Sequence, residues 1–357
     1  MEEDDSTKLE RAIIDEFRQK YDFRIGSSLG KGGFGVVYKI YFKDKVYAGK
    51  LVKKAGKVNE CDLILQFKSP YIVKIVKIFN SGIYNFVLME KADLKDLNSF
   101  IEDTKKNSIQ KLLINPFYSG IIGNNLFKYF AKQLIIGLES LERIGYSHFD
   151  IKPGNILIFK NYISKLSDFS FLRNQKEIAR QYNMLKIPGG TDGFCPPEFY
   201  LYKDVTIENA KKHDYFSLGS TLFALKYGTR LLSIPIEYLK NKIKKRGEII
   251  DYIYDTLLRQ INLIKSNKLF DKEFIKFLCD LIQFKPEDRP NFEKIYRNKW
   301  INENSEEISK IFHINELDKQ KYNPKLILEL NKSDFLLDKK KELNQKRKKF
   351  IFKKKRK

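Results

Sequence analysis

Three polar side chains lie within six residues of one another in the stretch YSHFDIKPGNIL, residues 146–157. Asp150 offers a carboxylate, Lys152 a cation and Asn155 an amide oxygen, and the Pro–Gly pair between them is typical of a loop. A base, a counter-charge and a metal ligand are the groups that a transferring phosphoryl group requires. The stretch therefore predicts phosphoryl transfer, and the alternative is a plain turn capped by Asp150 and Asn155.

A second carboxylate follows in the stretch SDFS, where Asp168 comes after the β-like run NILIFKNYISKL. Mg²⁺ takes one or two oxygen ligands from a protein and fills its other positions with phosphate and water. Asn155 and Asp168 together therefore predict a magnesium site.

Three glycines in the stretch LGKGGFGVVYK, which are Gly30, Gly32 and Gly35, have the spacing G-x-G-x-x-G. Glycine lets a backbone pass close to phosphates and present its N–H groups to them. The β-branched and aromatic residues that follow exclude a dinucleotide-binding loop, which needs a helix at that point. The stretch indicates either a phosphate-binding loop or an ordinary hairpin turn.

Lys50 interrupts the strand-like run YAGKLVK, fifteen residues after the last of these glycines. On an adjacent strand its ammonium could reach the same phosphates, and Glu60 on a following helix could hold it there. Burying a Lys–Glu pair costs desolvation free energy, so such a pair is expected where it positions a functional group. The alternative is a solvated lysine.

The elements that must position these residues change in character near residue 90. Between residues 22 and 88, short β-rich runs predict antiparallel strands, with a helix over residues 59–66. Residues 103–123 form a polar connector that we interpret as a surface insertion. We therefore expect an α+β fold, with a small antiparallel sheet and one helix before a larger, mainly helical part. Helical patterns occur at residues 124–146, 214–227, 249–264 and 273–284.

Seven stretches follow one another in a fixed order: GKGGFGVV, YAGK, HFDIKPGN, DFS, CPPE, DYFSLG and EDRP. This order resembles the eukaryotic protein kinase family. The resemblance extends over residues 22–301 and implies a two-lobed protein kinase-like fold. The implied divisions are an N-terminal extension (1–21), an N-terminal lobe (22–90), a C-terminal lobe (91–301) and a charged C-terminal extension (302–357) that ends in a basic tail (339–357).

The resemblance implies ATP and Mg²⁺ as cofactors and gives the polar residues their roles. Asp150 would accept the proton of a substrate hydroxyl, and Lys152 would steady the γ-phosphate. Asn155 and Asp168 would hold Mg²⁺.

Nucleotide binding is implied for a further set of residues. Lys50 would bind the α- and β-phosphates, with Glu60 as its partner. Met89 would be the gatekeeper, and Glu90 and Ala92 would offer hinge backbone groups to the adenine. The other cofactor-binding residues would be Leu29, Gly30, Gly32, Gly35, Val37, Ala48 and Leu157, of which Val37, Ala48 and Leu157 would sandwich the adenine.

Five residues would support the site without taking part in the chemistry. Glu198 and Arg289 would form a structural ion pair, and Asp214 would tie the catalytic loop to the central helix. His148 and Phe169 would be core residues.

The substrate implied by the resemblance is a protein that carries Ser or Thr. The stretch DIKPGN is similar to the Ser/Thr branch, and Thr191 lies where that branch has a threonine beside the base. Two alternatives remain. HFDIKPGN also has a short similarity to the Wee group, which leaves dual specificity open, and an inactive pseudokinase would bind nucleotide or a partner without transferring phosphate.

Five residues depart from the family pattern without removing a catalytic group, and two of them, Phe194 and Pro196, replace residues of similar size. Phe149 replaces an arginine that pairs with an activation-segment phosphate, so we expect an enzyme that does not need phosphorylation between residues 168 and 198. Ser170 replaces the glycine of D-F-G and reduces backbone freedom. Gly49 replaces an aliphatic strand residue and predicts looser packing above the nucleotide.

The net charge of the 357-residue chain is +23, and residues 338–357 hold twelve basic residues against two acidic ones. This tail could act in nuclear import, contact nucleic acid, contact an anionic membrane, or be a solvated lysine run.

Three cysteines are too few for a disulfide framework or a zinc site. The N-terminus lacks the pattern of a secretory signal, and no apolar run reaches the length of about 18 residues that a membrane helix needs. We therefore expect an intracellular protein, cytoplasmic or nuclear, and the sequence indicates no oligomeric state.

Overall fold

The computed structural model describes residues 5–32, 35–53, 69–81, 84–109, 122, 124–176, 190–201, 207–235, 246–267 and 271–303. Glu60, the predicted helix over 59–66 and the basic tail over 339–357 lie outside these residues.

The N-terminal lobe is built on a five-stranded antiparallel sheet with the strand order β1-β2-β3-β5-β4. This sheet confirms the sequence-based prediction. Strand β3 is central, and in its registers Lys50 lies opposite Val37 on β2 while Ala48 lies opposite Met89 on β5. The strands are β1 (Arg24–Gly32), β2 (Gly35–Phe42), β3 (Lys45–Lys53), β4 (Ile75–Ser81) and β5 (Tyr84–Glu90).

A helix that the sequence analysis did not predict, α1 (Asp5–Tyr21), packs on this sheet. Ile14 and Phe17 are buried in one apolar cluster with Phe79 and Phe86. The Phe17 ring lies 5.8 Å from the Phe86 ring, and the Tyr21 ring lies 4.3 Å from the Phe79 ring. Residues 14, 17 and 21 share one face of a helix because they are three and four positions apart. The N-terminal extension therefore adds an aromatic layer to the lobe.

Gly49 tightens the sheet, which contradicts the prediction of looser packing. Neighbouring residues of a strand point to opposite faces, so Lys50 and Gly49 face different sides of β3. A Cβ atom at Gly49 would lie 2.5 Å from Cζ of Phe86 and 2.6 Å from Cγ1 of Ile40. Phe86 and Ile40 fill the space that a side chain at residue 49 would occupy.

We expect Gly49→Ala to lower the free energy of unfolding by about 1–3 kcal/mol, because the added methyl group overpacks the cluster. Chemical denaturation measures the change. Gly247→Ala is the matched control, since a Cβ atom there meets nothing within 4 Å. Equal midpoints for the two variants would contradict the packing argument.

The C-terminal lobe is mainly helical, as predicted. Its longest helices are α2 (Leu97–Ile109), α3 (Asn124–Glu142), α5 (Ile207–Tyr227), α6 (Arg246–Ser266) and α7 (Lys272–Leu281). Helix α5 packs against α3 and α7. The shorter elements are β6 (Tyr146–Ser147), β7 (Ile156–Ile158), β8 (Ser164–Leu166), β9 (Arg173–Asn174), α4 (Pro197–Leu201), α8 (Phe292–Tyr296) and α9 (Lys299–Asn302).

Several helix boundaries differ from the sequence-based expectation: α5 begins at Ile207 and not at residue 214, and α7 ends at Leu281 and not at residue 284. Helix α3 ends at Glu142, before Gly145, whose φ of 82° is left-handed. The start of the predicted connector is helical, because α2 runs on to Ile109. At the N-terminal end of α2, Asp96 Oδ1 accepts a hydrogen bond from the Ser99 N–H at 2.8 Å.

Among the described helices, none combines the length and apolar character needed to cross a membrane.

Arg289 and Glu198 form the buried ion pair that the sequence analysis predicted. The two guanidinium Nη atoms donate to the two carboxylate oxygens, each at 2.7 Å. The same guanidinium donates to the backbone carbonyls of Gln283, Phe284 and Lys212. Every donor of this buried cation therefore has a partner, as a buried charge requires.

We expect Arg289→Met to lower the free energy of unfolding by about 3–5 kcal/mol, because it leaves the Glu198 carboxylate buried without a partner. The matched control is Arg297→Met. It breaks a 2.9 Å ion pair with Glu293 whose side chains are 66% and 63% exposed, and such pairs contribute about 0–1 kcal/mol. Urea denaturation compares them, and similar losses in both variants would refute the assigned role.

Candidate active site

The catalytic loop brings Asp150, Lys152 and Asn155 together as predicted. Lys152 Nζ lies 2.8 Å from Asp150 Oδ2, and Asn155 Nδ2 donates to the same oxygen at 2.7 Å. The Thr191 hydroxyl donates to Asp150 Oδ1 at 2.7 Å and accepts from Lys152 Nζ at 2.6 Å. The Asp150 carboxylate, itself buried, is thus surrounded by a cation, an amide and a hydroxyl.

The backbone just before Asp150 is held by a side chain of helix α5. Asp214 accepts hydrogen bonds from the N–H groups of His148 at 2.6 Å and Phe149 at 2.9 Å. This confirms the predicted link between the loop and the central helix. His148 is buried, its Nδ1 accepts from the Asp150 N–H at 3.3 Å, and its Nε2 lies 3.0 Å from the carbonyl oxygen of Ser167. These contacts require the tautomer with the proton on Nε2.

Lys50 and Asp168 meet although 118 positions separate them. Lys50 Nζ lies 2.9 Å from Asp168 Oδ1, and the Ser170 hydroxyl donates to that oxygen at 2.6 Å. Burial alone would raise the pKa of Asp168, but the Lys50 charge and the hydrogen bonds from Ser170 and Lys50 hold it below its ordinary value. These contacts favour the ionised carboxylate, which is the form that can bind a metal ion.

Asn155 is linked to the residue before Asp168, which is Ser167. The carbonyl oxygen of Asn155 accepts hydrogen bonds from the N–H and the hydroxyl of Ser167, both at 2.9 Å. Side-chain amide and carboxylate oxygens are the hard donors that Mg²⁺ prefers. The two side chains line one cavity, so the donor set fits a magnesium ion.

This cavity has a volume of about 340 Å³, within the range of small-ligand sites. Among the predicted nucleotide-binding residues, it is lined by Leu29, Gly30, Gly35, Val37, Ala48, Lys50, Met89, Ala92 and Leu157. A smaller cavity of about 70 Å³ shares Lys50, Met89 and Asp168 with it and includes Val73 and Phe169.

Gly32 and Glu90 are not among the lining residues. Gly32 ends β1 opposite Gly35. The carboxylate of Glu90 is bound by Lys165 Nζ at 2.7 and 2.9 Å and by the N–H of Lys74 at 2.7 Å. Glu60 lies outside the described residues.

Sequence reasoning missed several residues around the cavity. Lys91, Asp93, Lys95 and Asp96 also line it, at its rim after β5. Their place in the chain, next to the predicted hinge residues, was the signal that could have indicated them. Lys165 gave no such signal, because its partner Glu90 lies 75 residues away.

Comparison with known proteins agrees with this geometry. Serine/threonine-protein kinase chk-2 of Caenorhabditis elegans is 27% identical over 305 residues, which cover 80% of this chain and 58% of that protein. Serine/threonine-protein kinase atg1 of Schizosaccharomyces pombe is 24% identical over 308 residues, 76% of this chain and 35% of that protein. Serine/threonine-protein kinase fused of Drosophila melanogaster is 31% identical over 186 residues, 49% of this chain and 21% of that protein.

The chain thus spans less than two thirds of the length of these relatives. The family described as protein kinase domain matches residues 23–301. This match covers most of the chain and confirms the family that the sequence motifs indicated. The chain belongs to the protein kinase family.

Proposed function

We propose that this chain is a protein serine/threonine kinase that transfers the γ-phosphate of ATP to Ser and Thr hydroxyls of protein substrates, with Mg²⁺ as cofactor. One observation carries the proposal. A side-chain hydroxyl, that of Thr191, already donates to Asp150 Oδ1 at 2.7 Å and contacts Lys152 Nζ at 2.6 Å. A substrate hydroxyl needs a similar contact with the base.

In this reaction Asp150 takes up the proton of the substrate hydroxyl. The hydroxyl oxygen forms a bond to the γ-phosphorus, and the bond from that phosphorus to the β,γ-bridging oxygen breaks, which releases ADP. Lys152 offsets the negative charge on the transferred group, and its contact with Asp150 orients both side chains.

The nucleotide is held from the opposite side of the cavity. Lys50 would bind the α- and β-phosphates, because its ammonium lies in the cavity wall beside Asp168. Asn155 Oδ1 and Asp168 Oδ2 would hold Mg²⁺, which when bound supplies positive charge to the phosphates. The apolar side chains of Val37, Ala48 and Leu157 offer surfaces for the adenine.

Specificity for Ser and Thr is supported by two observations. Thr191 links the base to Lys152, as expected of the Ser/Thr branch. The relatives reported above have names that describe serine/threonine kinases. The pseudokinase alternative is disfavoured because an inactive kinase normally lacks the base, the lysine or a metal ligand, and this sequence has Lys50, Asp150, Asn155 and Asp168.

We expect Asp150→Asn and Lys50→Met to lower phosphate transfer from radiolabelled ATP to a mixed protein substrate. Loss of a positioned general base costs about 10²–10⁴ in rate. Asp44→Asn and Lys45→Met are matched controls, because both residues are exposed near β3, away from the cavity lining. Analysis of the labelled residues separates Ser and Thr from Tyr.

Two outcomes of this assay would change the assignment. Labelled tyrosine beside labelled serine would establish dual specificity. No transfer by the wild-type chain, despite binding of Mg·ATP, would establish a pseudokinase.

Phe149 supports a second part of the proposal, which concerns control of the enzyme. Its ring is buried and lies 4.8 Å from the His213 ring, in a cluster with Ala210, Phe171 and Phe199. An apolar ring cannot form an ion pair with a phosphate, and burying it does not require a neutralising charge. The loop is therefore held by apolar packing instead of a phosphate-dependent ion pair.

We expect phosphatase treatment to leave the transfer rate of the wild-type enzyme unchanged, and Phe149→Leu to keep this independence because it remains apolar. Mass spectrometry of residues 168–198 checks that phosphate has been removed. A rate that falls after phosphatase and recovers during incubation with ATP would contradict the prediction.

A further inference from the structure

Ser170 stands where the resemblance to protein kinases places a glycine, and its side chain makes a contact that glycine cannot make. Its hydroxyl donates to Asp168 Oδ1 at 2.6 Å, and Lys50 Nζ contacts the same oxygen at 2.9 Å. Hydrogen bonds to a charged acceptor are short and strong. Two donors on one oxygen therefore limit the rotation of the carboxylate.

The turn around Ser170 does not need this hydroxyl. Residues Phe169–Phe171 form a single 3₁₀ turn, which is closed by a backbone hydrogen bond from the Leu172 N–H to the Phe169 carbonyl at 3.0 Å. Asp168 has left-handed angles, φ 58° and ψ 79°, and its side chain makes no capping bond to the turn. The bond from Ser170 therefore acts on the direction of the carboxylate and not on the closure of the turn.

The second carboxylate oxygen remains available to a ligand. Among the described residues, every hydrogen bond and ion pair of Asp168 ends on Oδ1. Asp168 and Asn155 line the same cavity. Holding Oδ1 on the side of Lys50 and Ser170 leaves Oδ2 as the oxygen for a cation shared with Asn155.

We infer that Ser170 is a positioning residue that orients the Asp168 carboxylate for Mg²⁺ before metal and nucleotide bind. The inference rests on the proposed function, because it concerns the same site. An oriented side chain loses less conformational freedom when its ligand arrives, so the hydrogen bond contributes to metal affinity. Removing it is expected to weaken metal binding more than maximal turnover.

The test uses Mn²⁺ as a spectroscopic substitute for Mg²⁺, with the full chain and a saturating, non-hydrolysable ATP analogue. Electron paramagnetic resonance follows free Mn²⁺ during the titration. We expect Ser170→Ala and Ser170→Gly each to raise the Mn²⁺ dissociation constant by up to about tenfold, as the cost of ordering one side chain predicts. Ser170→Thr keeps the hydroxyl and should restore wild-type affinity.

Ser266→Ala is the matched control, because Ser266 is exposed at the end of α6. Kinetics add a second readout: in Ser170→Ala the Mg²⁺ concentration for half-maximal rate should rise by up to about tenfold while the rate at saturating Mg²⁺ stays near wild type. The glycine variant keeps the experiment decisive if the alanine variant does not fold.

Three results would overturn the inference. The first is wild-type Mn²⁺ affinity in the alanine and glycine variants. The second is loss of affinity in Ser170→Thr as well, which would assign the effect to turn packing. The third is a wild-type chain that neither binds Mn²⁺ in the presence of the analogue nor transfers phosphate. This result would also contradict the proposed function. Only the first two leave that function intact, so the failures can be told apart.

Discussion

The buried carboxylate of Asp214 is the contact on which the catalytic loop depends. It accepts two backbone N–H groups, from His148 and Phe149, and it belongs to α5 in the core of the C-terminal lobe. Phe149 has a φ of 62°, which a bulky side chain rarely adopts. Such a conformation persists only where its surroundings over-determine it. Because Asp150 is the next residue, the position of the proposed base follows from the two hydrogen bonds that Asp214 accepts.

The N-terminal lobe is joined to this site through β8. The N–H of Leu166 donates to the Tyr71 carbonyl at 2.8 Å, the N–H of Val73 donates to the Leu166 carbonyl at 2.9 Å, and Lys165 binds Glu90 at the end of β5. Asp168 follows β8 by two residues. Backbone contacts of β8 with the N-terminal lobe therefore help to bring Asp168, just after that strand, to Lys50 on β3. The aromatic cluster that includes Phe86 packs on the other face of β3, at Gly49.

The sequence predicted what short spacing determines and missed what only the fold brings together. Asp150, Lys152 and Asn155 were predictable because a six-residue loop leaves few arrangements for them. Helix α1 was missed because its N-terminal part is polar and because the partners of its apolar face, Phe79 and Phe86, lie 58 or more residues away in the sequence. The helical start of residues 103–123 was missed because a surface helix needs few apolar residues, and this one is polar. No local pattern indicates ion pairs such as Lys165–Glu90, since register across elements decides them.

Each of the two carboxylates of the site is contacted by one lysine and one hydroxyl, and Asp150 also accepts a hydrogen bond from the Asn155 amide. Asp150 is contacted by one lysine, Lys152, and one hydroxyl, that of Thr191. Asp168 is contacted by one lysine, Lys50, and one hydroxyl, that of Ser170. In each set the lysine balances the charge and the hydroxyl fixes the direction, so the protein alone adds little net charge to the cavity. The phosphates of a nucleotide then bring an excess of negative charge, and two lysines already paired with carboxylates cannot neutralise it. Under the proposed function a divalent cation would supply the missing positive charge, and the direction of the Asp168 carboxylate, not only its presence, would then matter to the site.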